Sequence, residues 1–116
     1  MDIISEIRKQ RNELLTDELK NTIVSILKNK LVKTRKVLIA CIDDDSCKRA
    51  VKSSNAYSWW HGCNGVLFWR DNWNDGFDLH KDYIPAVSDF LRSVGFCVST
   101  HYNCLGCYTG IDVSIA

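Results

Sequence analysis

The stretch KVLIACI, Lys36 to Ile42, decides the fold, because it contains the longest purely apolar run in a chain of 116 residues. Its apolar residues are continuous and do not alternate with polar ones, which is typical of a β-strand covered on both faces. The run from Val37 to Ile42 is also too short to span a bilayer. We therefore predict a buried strand here, inside a single domain.

The segment before this strand has helical periodicity from Ile3 to Leu31, without Gly or Pro. It predicts a long N-terminal helix, or two helices divided near Thr16, where Thr16-Asp17-Glu18 resembles an N-cap followed by an acidic first turn. The chain accordingly divides into an N-terminal helical segment, 1–33, and an α+β body, 34–116.

After the strand, the pattern predicts a short helix that is capped by Asp45 or Ser46 and ends near Lys52. Residues 53–63 look irregular, Gly65 to Trp69 is a second strand, and RDNWNDGFDLH is a polar loop with an Asp75-Gly76 turn. Next comes a helix with Asp82 as N-cap, Pro85 in its first turn and Gly95 at its end.

Two alternating segments joined by NCLGCYTG then predict a C-terminal β-hairpin. In its first strand Phe96, Val98, Thr100 and Tyr102 point one way. We predict an α+β fold with a small, mostly antiparallel sheet and helices on one face.

The tail FLRSVGFCVSTHYN followed by GIDVSI resembles the helix-then-hairpin ending of small α/β proteins from large DNA viruses and phages. The resemblance covers about the last third of the chain. It implies a viral protein, either a virion component or a host-directed factor. It assigns a function to no individual residue.

The charge balance excludes strong global attraction to nucleic acid, because the formal net charge is +1. The basic run from Lys28 to Lys36 is best explained as a charged helix end, since residues 1–36 contain no aromatic side chain that could stack on bases. Charged residues from Asp2 to Lys9 rule out a secretory signal. We expect an intracellular protein without a membrane partner, in which six cysteines are free thiols or metal ligands.

The stretch SWWHGCNGVLFWRDNW, residues 58–73, contains all four tryptophans of the chain. We expect Trp69 and one of Trp59 and Trp60 to fill the core, and Trp73 to be exposed in a polar loop. Trp and Arg side chains dominate protein–protein hot spots. The sequence thus predicts a protein-binding surface formed by Trp59, Trp60, Arg70 and Trp73.

Cysteines and histidines allow a metal site as an alternative. Cys104 and Cys107 form a C-x2-C pair, and Cys63 with His61 could complete a tetrahedral zinc site. The other explanation is a hairpin turn that happens to contain two free thiols. We favour the free thiols, and therefore no cofactor.

Catalysis through a cysteine is a third hypothesis, and an enzyme is the least favoured function. The nucleophile would be Cys63, Cys97 or Cys104, with His61 or His101 as the base and Asp75 or Asp78 orienting it.

The spacing of Asp43 and Asp45 resembles the nucleophile motif of haloacid-dehalogenase-like phosphatases, which place magnesium ligands after a buried strand. The chain has no room for that family's further motifs. A solvated turn that caps the next helix is preferred.

The leading hypothesis is a non-enzymatic interaction or structural protein. It would bind a protein partner through the Trp-rich surface or associate with itself through the N-terminal helix. A small zinc-binding module is the alternative, and a cysteine-dependent enzyme is the third.

Overall fold

The computed structural model describes residues 2–53, 59–62, 66–70 and 76–116, with side chains described except at 49–53, 59–61 and 69–70. Four helices, one 3₁₀ turn and six strands are present in this part of the chain. In chain order they are α1 (Ile3–Leu14), α2 (Asp17–Leu31), β1 (Lys36–Ile42), α3 (Asp44–Ser53), β2 (Trp59–Gly62), β3 (Leu67–Arg70), β4 (Gly76–His80), the 3₁₀ turn (Lys81–Tyr83), α4 (Ile84–Val94), β5 (Cys97–Tyr102) and β6 (Tyr108–Ser114).

The fold is α+β. Strand β1 lies inside a mixed sheet whose strand order is β2-β3-β4-β1-β6-β5. It pairs in parallel with β4 and antiparallel with β6. Val37 and Ile39 are fully buried on one face, while Leu38 and Ala40 are half-buried on the other. The prediction of a strand at Lys36 to Ile42 is confirmed, and its continuous apolar character follows from this inner position.

The described strand pairs other than β1–β4 are antiparallel, so the prediction of a mostly antiparallel sheet is confirmed. The C-terminal hairpin is β5–β6, with Val98 opposite Val113 and Ser99 opposite Asp112. Val98 packs against the main core, whereas Cys97, Ser99 and His101 belong to the opposite face of the sheet.

The first face of the sheet carries the main core. Helices α2 and α4 pack their apolar sides against it, and Leu27, Val37, Phe77, Leu91 and Val113 are fully buried there. The predicted N-terminal helix is divided into α1 and α2 at Leu15 and Thr16, where the Thr16 hydroxyl accepts a hydrogen bond of 3.1 Å from the Leu19 N–H. The break near Thr16 is therefore the alternative that the structure adopts.

Helix α3 lies on the second face, where Cys47 and Phe68 are buried together beside Ile42. The prediction of helices on one face is wrong for α3. The physical reason is that β1 and β3 carry apolar side chains on both faces, so the second face also requires a cover.

Helix α4 begins after the 3₁₀ turn, so the prediction of Asp82 as its N-cap is wrong. The His80 ring accepts from the Asp82 N–H at 3.1 Å, and Tyr83 precedes α4 without a side-chain cap. The predicted end is confirmed. Gly95 has φ of 112° in the left-handed region, and the Phe96 N–H donates back to the Leu91 carbonyl.

Two strands were not predicted. Strand β2 falls in the segment expected to be irregular, and β4 falls in the expected polar loop. In β4, Phe77 and Leu79 enter the main core, while Asp78 and His80 belong to the second face. The polar residues of this segment predict a solvated loop. In the structure Asp78 is buried and His80 is hydrogen-bonded on the second face, so the segment forms a strand.

Candidate functional site

A histidine–aspartate pair lies on the second face of the sheet, within the C-terminal hairpin. His101 on β5 is opposite Gly110, and Asp112 is two residues further along β6, so the two side chains are diagonal neighbours on one face. His101 Nδ1 lies 2.8 Å from Asp112 Oδ2. Their side chains are 30% and 16% exposed. The carboxylate therefore fixes the orientation of a half-buried imidazole.

Two cations stand beside this pair. Arg35, just before β1, and Lys36, its first residue, line a groove of about 310 Å³ together with Leu38, His101 and Asp112. We call these five residues the hairpin groove. Arg35 and Lys36 form no ion pair with a carboxylate in the described part of the chain. The groove thus combines two cations against one carboxylate, an apolar wall and an oriented imidazole.

The orientation of His101 decides which nitrogen is available. Since Nδ1 faces Asp112, Nε2 is the ring nitrogen left for another partner, and no hydrogen bond to it is found among the described residues. A neutral ring would present Nε2 as an acceptor, and a protonated ring would present it as a donor.

A second histidine, His80, joins three elements at the end of β4. Its Nδ1 accepts from the Asp82 N–H, and its Nε2 hydrogen-bonds to the Asp44 carboxylate at the start of α3. This hydrogen bond is the main reason that the pKa of Asp44 is lowered. The His80 side chain is 13% exposed and already has partners on both nitrogens, so we assign it a structural role.

The aspartate run after β1 has the capping role that the sequence favoured. Asp43 Oδ1 accepts from the Ser46 N–H at 2.7 Å, and the Asp43 carbonyl accepts from the Cys47 N–H. Asp44 holds His80, and Asp45 is exposed in the first turn of α3. The N-cap is thus Asp43, not Asp45 or Ser46.

The thiols differ in reactivity. Burial raises the pKa of Cys47 to about 11, with further contributions from Asp44, Asp43 and Asp78, and burial also raises the pKa of Cys41. A thiol of this kind is protonated at neutral pH and is a poor nucleophile. Cys97 and Cys104 are exposed.

The predicted catalytic triads are not assembled within the described residues. His101 is oriented by Asp112, whereas Asp78 is a buried residue of β4. Cys63, Asp75 and the side chain of His61 lie outside the described residues.

The predicted zinc ligands are only partly described. Cys104 and Cys107 are exposed in a loop that Asn103 organises, since its Oδ1 accepts from the N–H groups of Leu105 and Cys107 at 2.9 and 3.0 Å. Cys63 and the His61 side chain lie outside the described part. Among the side chains that are described, no group of three or more metal-ligating residues is found. The zinc site stays a prediction.

The predicted Trp-rich surface falls on β2 and β3. Their register places Trp59 opposite Arg70 and Trp60 opposite Trp69, and β2 is an edge strand. The side chains of these residues, and the whole of Trp73, lie outside the described residues. The role of this predicted Trp-rich surface in binding a protein partner stays a prediction.

An exposed apolar stripe is described on α1. None of the helix residues is buried, and Ile3, Ile7 and Leu14 are 69%, 45% and 46% exposed. With Gln10 between them they follow one side of the helix, and we call these four residues the α1 stripe. A different side of α1 contacts α4, where Arg11 Nη1 lies 3.0 Å from Asp89 Oδ2.

The sequence reasoning missed Asp112, His80 and the placement of Arg35 and Lys36. Asp112 could have been found, because counting outward from the predicted hairpin loop places it on the same face as His101. The contacts of His80 and the convergence of β1 with the hairpin depend on long-range pairing, for which the sequence has no local signal.

None of the helices in the described part of the chain has the length and apolar composition needed to cross a membrane. Comparison with protein-family models, with curated proteins and with solved structures finds no match to this chain. The α1 stripe and the hairpin groove are therefore the features of this chain that bear on its function.

Proposed function

We propose that this chain is an interaction protein that pairs with a second copy of itself through the α1 stripe. The observation that carries the proposal is the exposure of Ile3, Ile7 and Leu14 on a regular helix. Three large aliphatic side chains along one side of a helix that is polar elsewhere except at Ile4, itself 54% exposed, are unfavourable in water unless a partner covers them. The body of the protein already covers a different side.

The spacing of the stripe fits a two-stranded coiled coil. Ile3, Ile7, Gln10 and Leu14 alternate steps of four, three and four residues, which is the d-a-d-a order of a heptad seam. In this register Glu6 is at a g position and Arg11 is at the e position five residues later. Glu13 is at the next g position, so the seam would carry two flanking carboxylates on one side and the Arg11 guanidinium on the other.

Charge complementarity selects the parallel arrangement. In a parallel pair, the g position of one helix faces the following e position of the other, so Glu6 would meet the Arg11 of the second copy. In an antiparallel pair, Glu6 would meet another acidic flank. Arg11 already pairs with Asp89, but it is 43% exposed on its side chain and has donors left for a second carboxylate.

The interface would be small. A helix of 12 residues has fewer residues than two heptads and is about 18 Å long. Stable dimers commonly bury more surface than such a seam offers, so we expect reversible association in the micromolar range or weaker.

The test is sedimentation velocity over a wide range of protein concentrations. The natural chain should shift from monomer towards dimer, and Ile7→Ser should remain monomeric. Val32→Ser is the matched control, because Val32 is an apolar residue that is 83% exposed outside the stripe. A natural chain that is monomeric at the highest concentration, or a Val32→Ser variant that loses association equally, would contradict the proposal.

Charge reversal tests the orientation. Glu6→Lys should weaken the dimer, whereas Glu13→Lys should weaken it less, because the corresponding e position lies beyond the end of α1. Equal effects of the two variants would exclude the parallel pairing.

A protein partner at Trp59, Trp60, Arg70 and Trp73, and a viral origin, remain further predictions. Both agree with a role in assembly. Neither is needed for the pairing of α1.

A further inference from the structure

We infer that the hairpin groove is a binding site for a small molecule that carries a terminal phosphate monoester. The groove is on the second face of the sheet and shares no residue with the α1 stripe, so the inference stands independently of the proposed pairing. Four observations support it, namely the convergence of its residues, their charge, the orientation of His101 and the size of the groove.

The first observation is that residues from two distant parts of the chain meet in one groove. Arg35 immediately precedes β1, Lys36 is its first residue, and His101 and Asp112 come from the terminal hairpin. Pairing of β1 with β6 places Leu38 opposite Asp112 and thereby joins the two groups. Helix α3 contacts the second face at Phe68 of β3, whereas the groove lies over β1, β6 and β5 on the other side of β4.

The second observation is charge. Arg35 and Lys36 lack a carboxylate partner in the described part of the chain, and the one carboxylate in the groove, Asp112, is engaged by His101. Two cationic side chains against one carboxylate leave the groove with a positive balance, which attracts an anion. A guanidinium binds two oxygens of a phosphate group at once, and an ammonium adds a point charge.

The third observation is the imidazole. Asp112 holds His101 Nδ1 at 2.8 Å, which leaves Nε2 for a ligand in the groove. When the ring is protonated, Nε2 donates to a phosphate oxygen. Asp112 is thus a positioning residue, whereas Arg35, Lys36 and His101 would contact the phosphate group.

The fourth observation is size. A groove of about 310 Å³ is at the lower end of the range for small-molecule sites, and Leu38 supplies an apolar wall for the organic part of the ligand. A single phosphate ion would leave most of this space unused. A phosphorylated sugar or a mononucleotide would use both the cations and the wall.

The experiment is an NMR titration of the full chain with adenosine 5′-monophosphate, adenosine and inorganic phosphate. The monophosphate should shift the backbone amides of Arg35, Leu38, His101 and Asp112 in a saturable way. Adenosine should not, and inorganic phosphate should shift the same amides at higher concentration. Adenosine binding as well as the monophosphate, or phosphate shifting a different region, would overturn the inference, as would no saturable shift.

Variants locate the site. When the His101 ring is protonated, Arg35→Gln and His101→Ala should each weaken binding of the monophosphate about tenfold, as expected for the loss of a charge-assisted hydrogen bond. Lys36→Gln should weaken it severalfold without affecting the fold, because Lys36 is exposed. Lys28→Gln, an exposed lysine of α2 outside the groove, is the control, and an equal loss in this variant would overturn the inference.

Discussion

His80 at the end of β4 and Asp44 at the start of α3 are joined by a hydrogen bond between the imidazole Nε2 and the carboxylate. The other nitrogen of the ring accepts from the Asp82 N–H, so one side chain connects a strand, a helix and a 3₁₀ turn. With Nδ1 as the acceptor, Nε2 is the nitrogen that donates to the Asp44 carboxylate.

We expect His80→Ala to lower the free energy of unfolding, because the Asp82 N–H loses its acceptor and the Asp44 carboxylate loses its donor. Chemical denaturation measures this change. Asp44→Asn should destabilise the protein more than Asp45→Asn, although both remove a negative charge from the first turn of α3. Equal effects of the two variants would show that only the helix dipole matters.

The same contact predicts a dependence on pH. The hydrogen bond from His80 lowers the pKa of Asp44 below its ordinary value of 3.8 in the folded state. The unfolded chain then binds the proton first, so the stabilisation is complete above the ordinary value and is lost as the pH falls through the lowered pKa. Thermal melting at decreasing pH should show a shallower acid loss in Asp44→Asn than in the natural chain.

Thiol labelling should separate the cysteines. Cys47 has a pKa of about 11 because it is buried, so iodoacetamide at neutral pH should leave it unmodified until the protein unfolds. Cys97, Cys104 and Cys107 are exposed and should be modified in the folded protein. Peptide mass spectrometry reads each site. Labelling of Cys47 as fast as Cys97 in the folded protein would contradict its burial between α3 and the sheet.

The hairpin loop should depend on Asn103 more than on its two cysteines. Asn103→Ala removes the acceptor for two backbone N–H groups and should destabilise the protein by about 1–2 kcal/mol. The double variant Cys104→Ser and Cys107→Ser should change the melting temperature little, because both side chains are exposed. The reverse ranking, together with a lower melting temperature after chelation, would support the zinc site.

Glycine substitutions test the packing of β6 on β1. Gly110 has φ of 147°, and a Cβ there would lie 2.1 Å from the Ile39 carbonyl oxygen. Gly110→Ala should therefore destabilise the fold by about 3 kcal/mol or more. Gly95→Ala is the control, since Gly95 has φ of 112° with no atom within 4 Å, and it should cost about 1–2 kcal/mol.

Sequence patterns over a few adjacent residues correctly predicted several helix ends and strands. β1, the break at Thr16, the end of α4 at Gly95 and the terminal hairpin each depend on a few adjacent residues. Strand β4 was missed because its five residues have polar side chains at Asp78 and His80 that are satisfied only through tertiary contacts. Helix α3 was placed on the wrong face because the sequence does not say which face of β1 each helix covers.

In the hairpin groove, too, the relation between nearby residues could be predicted, and the long-range contact could not. The diagonal relation between His101 and Asp112 follows from the hairpin register and was open to prediction. The approach of Arg35 and Lys36 was not, because β1 and β6 are separated by most of the chain before they pair. The interpretation of Lys28 to Lys36 as a charged helix end is confirmed for Lys28 and Lys30 in the last turn of α2, but it is wrong for Arg35 and Lys36, which lie just before β1 and at its first position.

The position of β1 has a consequence for synthesis on the ribosome. Its neighbours are β4, which begins at Gly76, and β6, which begins at Tyr108, so the strand emerges long before either can pair with it. Until then an apolar ribbon with two open edges is available to other nascent chains. Chains that stall before Tyr108 should therefore aggregate or require a chaperone, and folding should be slow because its decisive contacts span most of the sequence.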